Sequence, residues 1–285
     1  MSGDTPAEVV TSVVGQDADA WTQVQALTDW VHRHIGWSRT IYRRRSVEEV
    51  MRDAVGNCWD QSRVLAALLD ASGVRWRPVA EINVEPLDLL RGAFAVWMVR
   101  QSGNRASVFG WRHNDHRWVE AAMADGTWVP CDPSLGVCGE PAWVRARLGF
   151  RDRPTRHIPP ARHMIAPFVC VVPDGADGGT DRTEEYLLRA FDRAYAGQLS
   201  RLRAWGDWEE AVRRVCPLGA GALRGEVNLH RHARAVARTG AAYRRLRSEA
   251  WRVGVRSPGP PRRSGGVARL GQYRSIREKS RRTGS

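Results

Sequence analysis

An α+β fold is predicted for this chain of 285 residues, in the order helices, antiparallel strands, helices. Three observations predict it. Apolar residues recur at helical spacing up to Ser72, the period shortens to that of strands after Gly73, and helical spacing returns from Thr180. Helices and strands segregated in this way build an α+β domain rather than an alternating α/β one. A hydrophobic fraction of 42% with 13 tryptophans supplies enough apolar surface for a packed core.

The first helix is expected over residues 18–35, where Trp21, Val24, Leu27, Val31 and Ile35 recur at steps of three and four. A second should begin at Ser46, because Ser46 and Glu49 have capping-box spacing. Gly56 and Asn57 interrupt the pattern. A third helix then runs from Cys58 to Ser72, burying Val64, Leu65, Leu68 and Leu69, with Gly73 placed to end it. Strands are expected over 75–84, 95–101, 107–111, 116–122 and 127–131, rich in Val, Trp and Ile and separated by Gly, Asn and Asp. From residue 180 a helical stretch carries Tyr186, Leu187, Phe191, Tyr195 and Leu199, and leads into Leu202 and Trp205. Gly219 and Gly221 should separate it from a second stretch over 226–253. Residues 256–285 are Pro, Gly, Ser and Arg with little to bury, the composition of a disordered basic tail. The predicted organisation is a catalytic domain over 1–170, a helical extension over 171–255 and the tail over 256–285.

Charge and cysteine usage narrow the function. The net charge of +13 is concentrated in residues 171–285, where 24 basic side chains face 12 acidic ones; residues 1–170 are nearly neutral, so the basic total says little about the chemistry of the first domain. No apolar run approaches the roughly 18–20 residues of a membrane span, and the N-terminus lacks a signal-like segment, so a cytoplasmic protein with no membrane contact is expected. The five cysteines are scattered without CxxC spacing, which disfavours a disulfide framework. Cys131, Cys138, His113 and His116 lack the paired short spacings of a zinc site. Neither a metal nor a cofactor is expected.

Cys58 occupies the one strategic cysteine position. It follows Gly56-Asn57 and opens an apolar helix, so the free N–H groups and the helix dipole favour its thiolate and can hold a developing oxyanion. A thiolate needs a histidine as proton shuttle. His32, His34, His230 and His232 lie beside arginines on helices, and His157 and His163 lie in a Pro/Arg-rich connection. His113 and His116 remain, and His116 opens a strand, where its side chain projects from a rigid element. The next strand ends at Asp132, a carboxylate suited to orient an imidazole. Asp115 is the alternative carboxylate, ranked lower because neighbouring residues on a strand point to opposite faces.

These segments resemble a known family. The run Ser46-Val-Glu-Glu-Val-Met-Arg-Asp-Ala-Val-Gly-Asn-Cys58-Trp-Asp-Gln-Ser62, followed by Leu65-Ala-Ala-Leu-Leu69, is similar to the nucleophile segment of the transglutaminase-like superfamily. His116-Arg-Trp118-Val-Glu120 resembles its histidine motif and Gly126-Thr-Trp128-Val-Pro-Cys-Asp132-Pro133 its aspartate motif, in the family's order. The resemblance spans roughly residues 20–135. It implies a papain-like core with helices packed on an antiparallel sheet, and a Cys58–His116–Asp132 triad. It also implies acyl transfer through a Cys58 thioester, with a peptide, protein or small-molecule acyl or amide substrate. Water as acceptor makes a peptidase or amidase; an amine makes a transamidase. Trp59, directly after the nucleophile, is reminiscent of protein-crosslinking members, yet no acidic cluster resembles a calcium site and no β-sandwich segments flank the core.

Two other readings compete. One is a non-catalytic binding scaffold that keeps the fold; the presence of all three groups stands against it. The other is nucleic-acid or acidic-partner contact through residues 224–285, which hold 17 basic and 3 acidic side chains but only Tyr243, Trp251 and Tyr273 for stacking. At most a weak contact is expected there.

The triad also demands a strand register. A two-residue turn at Asp125-Gly126 would set Asp132 opposite Val119 and send His116 and Asp132 to opposite faces. Direct opposition of His116 and Asp132 requires a wider loop, residues 122–126, with Gly126 at positive φ. The wider loop is the expectation.

Overall fold

The computed structural model describes residues 4–15, 17–38, 45–83, 114–148, 168–172, 179–224, 226–227 and 229–255. The strands expected at 95–101 and 107–111, His113, His157, His163 and the tail 256–285 lie outside these residues, as does the side chain of Asp115.

Four N-terminal helices begin where capping chemistry places them. Helix α1 (Pro6–Val13) precedes the first helix that the periodicity predicts; Thr5 and Glu8 form a capping box, and Pro6 is its first residue. Helix α2 (Ala20–His34) starts at Asp19, whose carboxylate accepts the Thr22 N–H at 2.7 Å. Strand β1 (Gly36–Trp37) follows and pairs in parallel with β2 (Val55–Gly56). Between them, α3 (Val47–Asp53) has the expected Ser46/Glu49 box. Helix α4 (Cys58–Ala71) opens on Cys58, capped by Asn57 and Asp60, and Gly73 follows it at φ +73°.

The sheet consists of β3 (Trp76–Asn83), β4 (Asn114–Ala122), β5 (Trp128–Asp132), β6 (Val137–Cys138), β7 (Phe168–Val171) and β8 (Thr180–Asp181). Their spatial order is β6-β5-β4-β3-β7-β8, with every neighbouring pair antiparallel. Period-2 alternation assigns the two faces to different helices. Val119, Ala121 and Cys131 pack with Val9, Val24, Leu27, Val31 and Leu65 from the N-terminal helices. Val79, Trp118, Val169 and Val171 turn the other way, toward α5 (Glu140–Leu148) and the C-terminal helices.

Those C-terminal helices differ from the periodicity in two places. The stretch after residue 180 is a π-helical segment (Glu185–Ala190) running into α6 (Phe191–Ala194), and Ala196 and Gly197, both at positive φ, end it. Helix α7 (Arg203–Leu223) runs straight through Gly219 and Gly221, where the sequence predicts a break. The reason is contact: a Cβ at Gly219 would lie 2.4 Å from Phe168 Cδ1, so the bare α-carbon lets the helix press onto β7. The second stretch becomes a short 3-10 turn (Leu229–His232) and α8 (Ala233–Arg252). Strand β7 straddles the expected division at residue 170, and Trp208, Val212, Tyr243 and Leu246 share one core cluster with Trp118 of the sheet. Among the described residues, no helix is long and apolar enough to cross a membrane.

The β4–β5 hairpin corrects the register. Val119 pairs with Cys131 and Ala122 with Trp128, and the Met123 N–H donates to Thr127 O at 2.8 Å. The loop is thus residues 124–126, shorter than the predicted 122–126 by two residues, both at its start, so that the hairpin centres on Asp125 instead of Ala124. Gly126 closes it at φ +83° with its N–H on Met123 O, and Asp125 Oδ1 accepts from both the N–H and the hydroxyl of Thr127. This three-residue loop, whose last residue is a left-handed glycine, gains strand pairing that a five-residue loop forfeits. Continued by one residue, the register sets Trp118 across from Asp132 and His116 on the diagonal of the same face, still within reach of a long side chain.

Candidate active site

The nucleophile position is built by the start of α4. Asn57 Oδ1 accepts the Asp60 N–H at 3.0 Å, and Asp60 Oδ2 accepts the Asn57 N–H at 3.1 Å. Asn57 therefore serves as the helix cap. The same Asp60 oxygen receives Arg45 Nη2 at 2.8 Å, and both side chains are almost completely buried. One turn into the helix, the Ser62 hydroxyl lies 2.8 Å from the Arg117 carbonyl, which ties α4 to β4 beside His116. Trp59 is stacked under the Arg117 guanidinium, 4.7 Å from ring centroid to carbon.

His116 and Asp132 meet as the diagonal predicts. His116 Nε2 lies 2.7 Å from Asp132 Oδ2; the imidazole is 23% exposed and the carboxylate fully buried. With Nε2 taken, Nδ1 is the ring nitrogen left for the Cys58 thiol, which hydrogen-bonds to the ring. Burial by itself drives a proton off this ring. The Asp132 charge and hydrogen bond, with a smaller contribution from Cys58, more than reverse that, and the His116 pKa stands well above its ordinary value. Burial likewise raises Asp132, but His116, Arg147 and the Ser134 hydroxyl outweigh it and hold the carboxyl far below the usual range. All three residues singled out from the sequence are brought together.

The residues that hold Asp132 were not legible in the sequence. Its Oδ1 accepts from the Ser134 hydroxyl at 2.8 Å and the Leu135 N–H at 3.3 Å. Its Oδ2 also accepts from Arg147 Nη2 at 3.3 Å. Arg147, on α5, forks onto Glu81 of β3 through Nε at 3.1 Å and Nη2, and lies over the Trp143 ring at 4.3 Å. Trp118 Nε1 donates to the same Glu81 at 3.1 Å. Trp118 is thus a core packing residue. Glu120 is likewise a satisfied structural carboxylate, bound by Arg77 and the Tyr186 hydroxyl. Arg147 is one of 44 basic residues and lies far along the chain from Glu81, so no local signal marks it. Among the described residues, no group of three or more His, Cys, Asp or Glu side chains could hold a metal ion.

Residues 7–133 match the family model of the transglutaminase-like superfamily. No curated protein matches the chain. Solved structures similar to it include the following two. A candidate cysteine protease from Cytophaga hutchinsonii aligns with 17% identity over 46% of this chain and 37% of its own, at a TM-score of 0.33. The Rad4–Rad23 complex bound to a 6-4 photoproduct UV lesion aligns with 11% identity over 86% of this chain and 51% of its own, at a TM-score of 0.34. The chain thus spans less than two thirds of either.

Proposed function

Residues 7–133 belong to the transglutaminase-like superfamily, and from that premise we propose that the chain is a thiol enzyme that cleaves or transfers an acyl group through a thioester on Cys58. The observation that carries this reading is one imidazole shared between a fully buried carboxylate and a thiol at a helix N-terminus. Asp132 fixes the tautomer and keeps the ring protonated, so an imidazolium faces the Cys58 sulfur, which attacks as its thiolate form.

Cys58 Sγ attacks the acyl carbon and forms the C–S bond. Backbone N–H groups at the start of α4 face the charge that develops on the acyl oxygen. His116 gives its proton to the leaving nitrogen as the C–N bond breaks. The neutral ring then takes a proton from the acceptor, whose oxygen or nitrogen displaces the Cys58 sulfur. Water yields an acid and an amine yields a new amide; the substrate is a peptide, a protein or a small acyl compound.

The test is to expose the full chain to a panel of activated esters and peptide amides and to identify the adduct by mass spectrometry. An acyl group on Cys58, lost on hydroxylamine treatment and absent from Cys58→Ala, is the expected result. Turnover retained by Cys58→Ala, or an adduct on Cys131 or Cys170 first, overturns the assignment. No adduct from any donor in the parent protein supports the binding-scaffold reading instead.

A further inference from the structure

Behind the His116–Asp132 pair lies a buried chain of alternating charge, Asp132–Arg147–Glu81, whose middle residue is held by the C-terminal helix α8. Asp132, Arg147 and Glu81 are each almost wholly inaccessible to solvent. A buried guanidinium between two carboxylates is costly to desolvate, and packed apolar side chains would serve stability as well or better. Its position is therefore informative. Arg147 Nη2 reaches the same Asp132 oxygen that holds His116 Nε2, at 3.3 and 2.7 Å respectively. Arg147 in turn cannot shift freely. Glu81 grips its Nε and Nη2, Trp143 lies against its guanidinium, and Tyr243 of α8 donates to its backbone carbonyl. Trp143 packs against Trp118 and Tyr186, with ring centroids 5.8 and 4.8 Å apart, and Tyr243 packs against Trp208 at 6.0 Å. Residue 147 lies beyond the segment that matches the family model, which ends at 133.

We propose that Arg147 is a positioning residue for the Asp132–His116 pair, and that α8, through Tyr243, holds it in place, so that residues beyond 171 belong to the catalytic apparatus. This rests on the triad reading above. Arg147 keeps Asp132 ionised and aimed at Nε2; Asp132 keeps the imidazolium charged, and that imidazolium faces the Cys58 sulfur. Among the described residues, the ionisable groups around this chain include Cys58 on α4, His116 on β4, and Tyr243 and Arg247 on α8. Burial pushes the Tyr243 hydroxyl up to about 12, so it stays neutral in the working range.

Loss of the Arg147 cation leaves two carboxylates close together in a buried site, where they share a proton. The imidazolium then loses part of its counter-charge, and Cys58 becomes reactive only at higher pH. The measurement is the rate of iodoacetamide labelling of Cys58 against pH, with the full-length parent, Arg147→Met and Arg147→Lys. A charged nearest neighbour moves a carboxyl by about 1–3 pH units, so the acid limb should move up by about one unit in Arg147→Met. On that limb, labelling at fixed pH falls about tenfold. Arg147→Lys keeps the charge but loses the fork, so it should fold and move the limb in the same direction by less. A merely structural arginine would lower the folded fraction and leave the midpoint alone. Parent midpoints in Arg147→Lys, and in any folded Arg147→Met, overturn the proposal. If the parent itself labels first at another cysteine, the triad reading fails instead, and the two failures are separable in one experiment.

Discussion

Replacing Arg45 by methionine tests how the nucleophile helix is anchored. Arg45 Nη2 contacts Asp60 Oδ2 at 2.8 Å and the Val55 carbonyl at 2.7 Å, with side-chain exposures of 3% and 4% for the ion pair. Methionine fills similar volume but leaves the Asp60 charge buried with no cation on it. Breaking one side of a buried pair costs about 3–5 kcal/mol. At roughly 2–4 °C per kcal/mol for a chain of this class, the midpoint of thermal unfolding should fall by about 6–20 °C. Asp60 is also half of the capping box that starts α4 at Cys58. Calorimetry on Arg45→Met, Asp60→Leu and the double variant gives the coupling directly. The double variant should be less destabilised than the sum of the singles, by about 0.5–3 kcal/mol, since it leaves no orphaned charge. A melting point for Arg45→Met within a degree or two of the parent, or strict additivity in the cycle, would refute the account of a dry, paired anchor.

Further outcomes follow from the same reasoning. His116 is raised and Asp132 depressed on folding. The histidine's stabilisation is therefore complete below its unfolded pKa of about 6.5 and lost as pH rises through the folded value, while the aspartate's is complete above about 4 and lost as pH falls through its folded value. Both act together between about pH 4 and 6.5; melting curves of the parent and Asp132→Asn should diverge most in that window, and parallel curves would count against the pairing. Gly136 sits at φ +62° with its would-be Cβ 2.7 Å from the His32 ring, whose Nδ1 is 2.9 Å from the Pro133 carbonyl oxygen. Gly136→Ala should cost about 1–2 kcal/mol from the left-handed backbone alone, read by urea unfolding. Gly219→Ala forces a methyl against Phe168 and should destabilise by about 1–3 kcal/mol, whereas an exposed glycine such as Gly15 tolerates alanine; equal effects at the two would contradict the close approach of α7 to β7.

Elements governed by neighbours in sequence were legible in it. The cap at Ser46, the start of α4 at Cys58 and the shared face of His116 and Asp132 all follow from spacings of a few residues, where backbone geometry alone sets the outcome. Even the parity of the hairpin was implied by the need for two even-numbered residues to meet. Its exact register was not, because Asp125 and Gly126 suit several turns, and only the Asp125 side chain on Thr127 selects the three-residue loop. The pass of α7 through Gly219 was decided by Phe168, some 50 residues earlier, and the hold on Asp132 by Arg147, Glu81 and Tyr243 from three distant segments. Periodicity carries information about which face a residue occupies, but not about which distant side chain shares that space. A buried charge is recognisable only with its partners around it, and those partners are assembled by packing of the two helix layers against the sheet.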